Sequence, residues 1–221
     1  MSKIIFVIGP PGAGKGTQAK LLVEKTGFYH FITSREGKNY ISSHMDDPET
    51  ARQKELYDKG ILFEPEWLIG VQKKRAEEIL KENVSGIVFD GSPRTLYEAE
   101  NLTKFLSDTV GKDNISAVVI EVSADEMKKR AGERLVCSKN ENHVVSTRLD
   151  AEKKIGDPCK KCDGVLQKRD LDTEIEERIK QYQERTEPGI EYLKKNYTVF
   201  TVNGERLVED VQADILRVLN L

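Results

Sequence analysis

A glycine-rich turn near the amino terminus carries the residues of this chain that are best suited to chemistry. Residues 9–18 read Gly-Pro-Pro-Gly-Ala-Gly-Lys-Gly-Thr-Gln and fit the pattern of a phosphate-binding loop. Backbone N–H groups of such a loop converge on an anion, and the helix that follows adds partial positive charge there. We therefore predict an ATP-using phosphotransferase; a glycine-rich turn that binds nothing is the alternative. The predicted nucleotide-binding residues are Gly12, Ala13, Gly14, Lys15, Gly16 and Thr17.

A second candidate site follows the apolar run Ile87–Phe89, where residues 90–95 read Asp-Gly-Ser-Pro-Arg-Thr. An acidic residue at the carboxyl end of a strand beside a phosphate-binding loop is suited to hold Mg²⁺. Gly91 and Pro93 predict a turn that directs Arg94 back over the cleft. A guanidinium there can donate two parallel hydrogen bonds to a phosphate. The alternative is an aspartate that caps a helix, next to a surface arginine.

A third candidate site consists of Cys137, His143, Cys159 and Cys162, whose side chains are typical metal ligands. The Cys-x-x-Cys turn lets two thiolates face one ion. We expect a structural metal, because the segment has few apolar residues and zinc binding of roughly 10–16 kcal/mol can supply its folding energy. The ligand types leave zinc and iron open. Three free cysteines beside a surface histidine are the alternative.

These sites require a framework, and the alternation of apolar runs predicts an α/β fold with a five-stranded parallel sheet and helices on both faces. The predicted strands are Ile4–Ile8, Tyr29–Ile32, Ile87–Phe89, Ala117–Val122 and Val199–Val202. The predicted helices are Lys15–Lys25, Glu66–Lys81, Leu96–Ser107, Ala124–Glu133, Glu174–Lys194 and Leu207–Val218. Residues 33–60 are polar and helical, and residues 136–168 carry the cysteines and several turn formers. We predict that both stretches are insertions beside the sheet.

The composition is that of a globular chain with a strongly charged surface, at 221 residues, 38% hydrophobic and 33% charged. Its net charge of −3 argues against nucleic acid as the main partner, because duplex binding usually leaves a basic footprint. Three cysteines are too few for a disulfide framework. No apolar segment is as long as a membrane span, and Ile4–Ile8 is too short for the core of a signal peptide. We expect a cytoplasmic protein that is a monomer and binds no membrane.

The two phosphate motifs together resemble the signature of the adenylate kinase family of nucleoside monophosphate kinases. Residues 9–18 are close to the family's loop, including the glycine after the lysine. Residues 90–95 resemble its Asp-Gly-Phe/Tyr-Pro-Arg-Thr element, with Ser92 in place of the aromatic residue. The resemblance spans nearly the whole chain. Gly27–His30 is similar to the family's second strand, and residues 178–188 are similar to its Arg-x3-Tyr-x3-Thr-x-Pro helix.

This resemblance implies direct transfer of the γ-phosphoryl group of ATP to a nucleoside monophosphate, with Mg²⁺, and we predict AMP as the acceptor. Cations should converge on the phosphates, because the protein contributes positioning and charge neutralisation. The implied catalytic residues are Lys15, Asp90, Arg94, Arg130, Arg134, Arg169 and Arg178. Arg130 and Arg134 also match the family's pair at the lid hinge and are predicted to bind ATP. From Arg169 to Arg178 the spacing is two residues shorter than in the family pattern.

The same resemblance divides the chain into a core of residues 1–32, 65–135 and 169–221, a monophosphate-binding insertion of residues 33–64, and a lid of residues 136–168. Residues 128–169 contain twelve Lys or Arg and six Asp or Glu, so we expect a cationic flap that closes over polyphosphate. In a lid variant of the family, three Cys and one His hold Zn²⁺. The commoner variant has Cys where Asn140 stands, so His143 is the implied replacement ligand.

The acceptor site departs from the family. The predicted acceptor-binding residues are Thr33, Lys38, Gly91, Arg94, Glu98, Arg169 and Arg178. Lys38 stands in place of a phosphate-binding arginine, with Arg35 as an alternative, and Glu98 replaces the glutamine that reads adenine. A carboxylate accepts a hydrogen bond from an amino group but donates to a ring nitrogen only when protonated. A CMP or UMP kinase of the same fold therefore stays open, as does a nucleotide-binding zinc-ribbon protein without kinase turnover.

Overall fold

The computed structural model describes residues 2–58, 61, 63–140, 143–147, 150–168 and 175–221. Its strands are β1 (Lys3–Ile8), β2 (Tyr29–Ile32), β3 (Gly86–Asp90), β4 (Ile115–Glu121), β5 (Arg134–Cys137), β6 (Val144–Ser146), β7 (Leu166–Lys168) and β8 (Thr198–Asn203). Five of them form one parallel sheet in the order β2-β3-β1-β4-β8. The predicted five-stranded parallel sheet is thus confirmed.

Helices cover both faces of this sheet. They are α1 (Lys15–Thr26), α2 (Thr33–Ser43), α3 (Pro48–Asp58), α4 (Pro65–Lys81), α5 (Leu96–Val110), α6 (Ala124–Gly132), α7 (Ile175–Gln181), α8 (Glu187–Asn196) and α9 (Val208–Leu219). A π-helical turn, Tyr182–Thr186, joins α7 to α8, so the helical segment predicted to end at Lys194 is continuous from residue 175 but locally widened. No helix in the described ranges is long and apolar enough to cross a membrane.

The side chains of β1 show why its sequence is apolar throughout. Ile4, Phe6 and Ile8 belong to a buried cluster with residues of α4, α5 and α8. Ile5 and Val7 belong to a second buried cluster with residues of α1 and α9. Because successive side chains of a strand point to opposite faces, a strand covered on both sides must be apolar at every position.

The two insertions are built differently. Residues 33–58 form α2 and α3, as the polar helical pattern predicted. In residues 134–168, β5 lies between β6 and β7 in a small antiparallel sheet. No strands were predicted there, because β6 and β7 have only three residues each and show no regular alternation of burial.

The strand order brings the two phosphate motifs to one edge of the sheet. β1 leads into residues 9–18, and its neighbour β3 ends at Asp90, which pairs in register with Val7. On the other side, Asp90 pairs with Ile32, the residue before α2. The carboxyl ends of β1, β2 and β3 therefore border one crevice, which is where ligands bind in open parallel sheets.

Candidate active site

The phosphate-binding loop has the backbone that an anion site requires. Gly12 and Gly14 have φ of 79° and 88°, a left-handed conformation that glycine adopts without strain. Helix α1 begins directly after Gly14. Lys15 extends back over the loop, and its Nζ donates to the Pro10 carbonyl at 2.8 Å. A Cβ at Gly16 would lie 3.3 Å from Asp90 Oδ2, so the glycine after the lysine keeps the loop close to this carboxylate.

Several predicted cations converge on Lys15. The pKa of Lys15 is lowered to about 7, mainly by burial and then by the positive charge of Arg94, while Asp90 acts in the opposite direction. Arg178 and Arg134 add smaller effects of the same sign as Arg94. Since charges perturb one another only over short distances in water, groups from four distant parts of the chain share one cleft. The roles that sequence analysis gave these side chains stay predictions.

The turn after β3 holds Arg94 through its backbone. Gly91 has φ of 86°, and its carbonyl accepts a hydrogen bond from Arg94 Nε at 2.7 Å. The Arg94 carbonyl accepts from Thr186 Oγ1 at 2.9 Å, which ties the π-helical turn to this loop. The turn predicted from Gly91 and Pro93 is therefore present, and it holds the guanidinium through Nε, while the two terminal nitrogens have no hydrogen-bond partner among the described residues.

Asp90 has a neighbour to which sequence analysis assigned no function. His30 Nε2 lies 3.3 Å from Asp90 Oδ2, and both side chains are largely buried. The sequence does contain a clue to this pair, because His30 lies near the carboxyl end of β2 and Asp90 lies at the carboxyl end of the neighbouring strand β3.

Arg130 is placed differently from the other predicted cations. Its Nε donates to Glu126 at 2.6 Å, and its terminal nitrogens donate to the carbonyls of Gly12 at 3.2 Å and Gly204 at 2.8 Å. These bonds attach α6 to the phosphate-binding loop, a structural role that the sequence did not indicate. Arg134, the first residue of β5, lies near Lys15. Arg169 lies outside the described residues.

A cavity beside Arg94 occupies the predicted acceptor side of the crevice. It is lined mainly by apolar residues of the α3–α4 region and by polar residues of α2, α5 and the π-helical turn. Representative lining residues are Thr33, Tyr57, Phe63, Leu68, Glu98 and Arg185. Thr33 is buried, and its Oγ1 has no hydrogen-bond partner among the residues that the structure describes. Sequence analysis missed Arg185, which lies directly before Thr186, a residue of the Arg-x3-Tyr-x3-Thr-x-Pro motif.

The two candidate cations for the acceptor phosphate have different surroundings. Lys38 Nζ lies 4.6 Å from the centroid of the Tyr57 ring, and Tyr57 lines the cavity. Arg35 instead donates to the His30 carbonyl and pairs with the buried Glu36 at 3.1 Å. Lys38 is therefore the more available of the two.

Glu98 is buried in the wall of the cavity, with 3% of its surface exposed. Its Oε2 accepts hydrogen bonds from the Ser92 hydroxyl at 3.1 Å and the Arg94 N–H at 3.2 Å. Burial raises the pKa of Glu98, and Arg94 and these hydrogen bonds oppose that rise. The Glu98 N–H donates to Thr95 Oγ1 at 3.1 Å, which caps α5.

The cysteine cluster forms as predicted. One ligand atom each from Cys137, His143, Cys159 and Cys162 lies within 4.8 Å of the others. Cys137 and Cys162 sulfurs are 3.3 Å apart, and Cys159 Sγ lies 3.5 Å from His143 Nδ1. These distances suit ligands that share one zinc ion and exceed the length of a disulfide. The backbone N–H groups of residues 139 and 161 donate to the sulfurs of Cys137 and Cys159.

Comparison with known proteins finds similarity along nearly the whole chain. The family model described as adenylate kinase matches residues 7–198. An adenylate kinase of Acetivibrio thermocellus is 34% identical over 221 residues, covering 98% of this chain and 97% of the relative. An adenylate kinase of Archaeoglobus fulgidus is 35% identical over 218 residues, covering 97% of each chain. One from Petrotoga mobilis is 34% identical over 217 residues, covering 97% of this chain and 96% of the relative.

Proposed function

The chain belongs to the adenylate kinase family, and we propose that the cleft described above carries out that family's reaction, ATP + AMP ⇌ 2 ADP. It is a nucleoside monophosphate kinase that uses Mg²⁺ with ATP. The observation that carries the assignment of residues is the joint electrostatic effect of Arg94, Arg178 and Arg134 on Lys15. Like charges repel one another, so four cations in one cleft are explained by a ligand that carries several negative charges.

On the donor side, N–H groups of residues 12–17 and the Lys15 ammonium bind the outer phosphates of ATP. Arg94, Arg134 and Arg178 neutralise the charge that spreads over the transferring group, and most of the rate enhancement comes from this neutralisation and from alignment. Asp90 would hold Mg²⁺, which would supply further neutralisation of the phosphate charge. We keep Arg130 and Arg169 in the proposed set, Arg130 with the added structural role of supporting the loop.

On the acceptor side, the monophosphate enters the cavity between Thr33 and Glu98. Arg94 contacts its phosphate from the donor side, and Lys38 from the side of α2. The buried Thr33 Oγ1, which has no partner among the described residues, gains one from the ligand. Residues 33–64 then act as the acceptor-binding insertion and residues 136–168 as a lid that closes over the donor, drawn by its excess of positive charge.

A coupled assay with ATP, Mg²⁺ and the four ribonucleoside monophosphates tests catalysis and acceptor choice together. We expect turnover with AMP to exceed turnover with CMP, UMP or GMP. An enzyme that prefers CMP or UMP would replace the AMP assignment with the pyrimidine alternative. An enzyme that binds ATP but turns over none of the four would contradict the proposed function. We also propose that the protein is a cytoplasmic monomer without nucleic-acid partners. A sedimentation measurement on the purified protein tests the monomeric state.

Zinc is the structural metal that best fits the Cys137 cluster, because three thiolates and one imidazole are a common zinc ligand set. We expect a strong chelator to remove about one zinc ion per chain, to expose residues 136–168 to trypsin, and to leave the central sheet folded. Restoring zinc should restore the protease resistance. Elemental analysis that finds no metal in the native protein, or iron instead, would contradict the assignment.

A further inference from the structure

Two oppositely charged side chains line the acceptor cavity without pairing with each other. Glu98 is buried in the cavity wall, and Arg185 lies at the exposed rim in the π-helical turn. Arg185 makes no hydrogen bond or ion pair with any residue that the structure describes. Arg94 is the cation that acts on Glu98, so the exposed Arg185 guanidinium stays available to a ligand that enters the cavity.

The hydrogen bonds around Glu98 leave one of its oxygens available. Gln72 Nε2 donates to Ser92 Oγ at 2.9 Å, and the Ser92 hydroxyl donates in turn to Glu98 Oε2. The Arg94 N–H also donates to Oε2. Glu98 Oε1 has only a long contact of 3.5 Å, with Thr95 Oγ1. Oε1 can therefore accept a hydrogen bond from a ligand, and an ionised carboxylate cannot donate one.

The position of Arg185 along its helix shows which part of the ligand it meets. Arg178 and Arg185 are seven residues apart in one continuous helical segment, a separation of somewhat less than about 10 Å along the axis because the π-helical turn rises less per residue than an α-helix. Arg178 acts on Lys15 at the phosphate end of the cleft. Arg185 therefore lies about the length of one nucleotide away, at the end of the acceptor cavity where the base resides.

We propose that Glu98 and Arg185 together read the base of the acceptor nucleotide. Glu98 Oε1 accepts a hydrogen bond from the exocyclic amino group, and the Arg185 guanidinium donates one to the adjacent ring nitrogen. A glutamine amide offers an acceptor and a donor on one side chain, whereas here the two functions are divided between residues of α5 and the π-helical turn. This inference rests on the proposed function and specifies the edge that is read, an amino group next to an unprotonated ring nitrogen, as in adenine and cytosine.

A binding measurement that does not require turnover can test this division. Trp67 is the single tryptophan of the chain, and its ring centroid lies 5.1 Å from that of Phe63, which lines the cavity. Its fluorescence should therefore report acceptor binding. The titrations compare AMP with UMP for the wild type, Arg185→Ala, Glu98→Gln and the double variant. Lys180→Ala, which removes an exposed charge from α7, is the control.

We expect Arg185→Ala to weaken AMP binding roughly 10-fold, the scale of one hydrogen bond to a charged group. UMP binding should change less, because its ring nitrogen carries a hydrogen and cannot accept. In the Glu98→Gln variant, adding Arg185→Ala should weaken AMP binding less than about 3-fold. The reason is that the glutamine amide donates to the ring nitrogen in place of Arg185. The ATP concentration at half-saturation and the melting temperature of Arg185→Ala should match those of Lys180→Ala.

Three outcomes would overturn the proposal. Arg185→Ala could leave AMP binding unchanged, which would follow if a protonated Glu98 donates to the base by itself. It could weaken AMP and UMP equally, which would place Arg185 at the phosphate. It could also cost the same in both backgrounds, so that Arg185 and Glu98 act independently. A wild type that binds AMP but transfers no phosphate would instead contradict the proposed function and leave this test intact.

Discussion

The proposed donor and acceptor ends of the cleft are built in different ways. At the donor end one continuous stretch, residues 9–17, supplies backbone N–H groups and a helix start, with Lys15 as its main side chain. At the acceptor end the cavity is formed by side chains that extend from Thr33 to Arg185 in the sequence. The donor end therefore depends on backbone conformation and the acceptor end on the identities of separate side chains.

This difference explains why the donor end follows the family pattern closely while the acceptor end departs from it. A loop that binds through N–H groups needs glycine at set positions, and few other sequences give that backbone. A cavity lined by side chains can exchange one donor or acceptor for another if a neighbouring residue supplies the lost function. Glu98 is such an exchange, and in the proposal above Arg185 supplies the donor that the glutamine would have provided.

The largest expected effect is that of Arg94→Ala, because Arg94 serves both ends of the cleft. It acts on Lys15 at the donor end and lines the acceptor cavity. We expect kcat to fall roughly 10³–10⁵-fold, the range measured for arginines that stabilise phosphoryl transfer. Steady-state kinetics with AMP measures this, with Arg217→Ala on the exposed face of α9 as the control. A loss of kcat of less than 10-fold would contradict the claim that Arg94 acts at both ends of the cleft.

Lys15→Ala should reduce kcat somewhat less, by roughly 10³-fold, as expected when one preorganised donor to a developing charge is removed. Because the loss belongs to the donor end, the ratio of kcat/KM values among the four monophosphates should stay constant. Lys20→Ala, an exposed lysine of the same helix, is the control. If acceptor preference changed with Lys15, the two ends would not be independent.

Lys38→Ala should act at the acceptor end alone. We expect the KM for AMP to rise roughly 10-fold with kcat and the KM for ATP nearly unchanged, because one charge-assisted contact to the phosphate is lost. Lys38→Arg should lower the KM for AMP, since a guanidinium can bind phosphate with two hydrogen bonds. Lys54→Ala in α3 serves as the control. An unchanged KM for AMP would contradict the role of Lys38 and leave Arg35 as the candidate cation for the acceptor phosphate.

The smallest effect is a protonation change at the donor end. Since the pKa of Lys15 is lowered to about 7, most of this amine is neutral in the free enzyme at pH 8. The charge of bound ATP raises that pKa again, so ATP binding at pH 8 should take up close to one proton, and uptake should diminish at pH 6. Calorimetry in buffers of different ionisation enthalpy measures it. Uptake that persists in Lys15→Met would assign the proton to another group.

Much of the molecule could be predicted from the sequence because the signals are local. The five predicted runs match the five strands to within two residues at each end, because the central strands are apolar on both faces and the two edge strands keep a short β-rich run. The phosphate-binding loop and the Cys137 cluster could be predicted for a similar reason, because their residue types and spacings lie in short segments.

The lid sheet could not be predicted in the same way. Strands β6 and β7 pair with β5 over only three residues each, and so short a segment has no periodicity to detect. Leu135, Val136, Cys137 and Leu166 are buried, but β6 and the rest of β7 are exposed or half-buried, so we expect the neighbouring metal ligands to add to the stability of this sheet.

By itself, the sequence determined the α/β framework, the phosphate-binding loop and the metal-ligand set, because each depends on residues close together in the chain. Only the tertiary structure decided that Arg130 supports the loop backbone, that His30 lies beside Asp90, and that Arg185 shares a cavity with Glu98. These pairs are from 60 positions apart, for His30 with Asp90, to 118 positions apart, for Gly12 with Arg130. Spacing along the chain carries no information about such pairs until the sheet order and the helix positions are known.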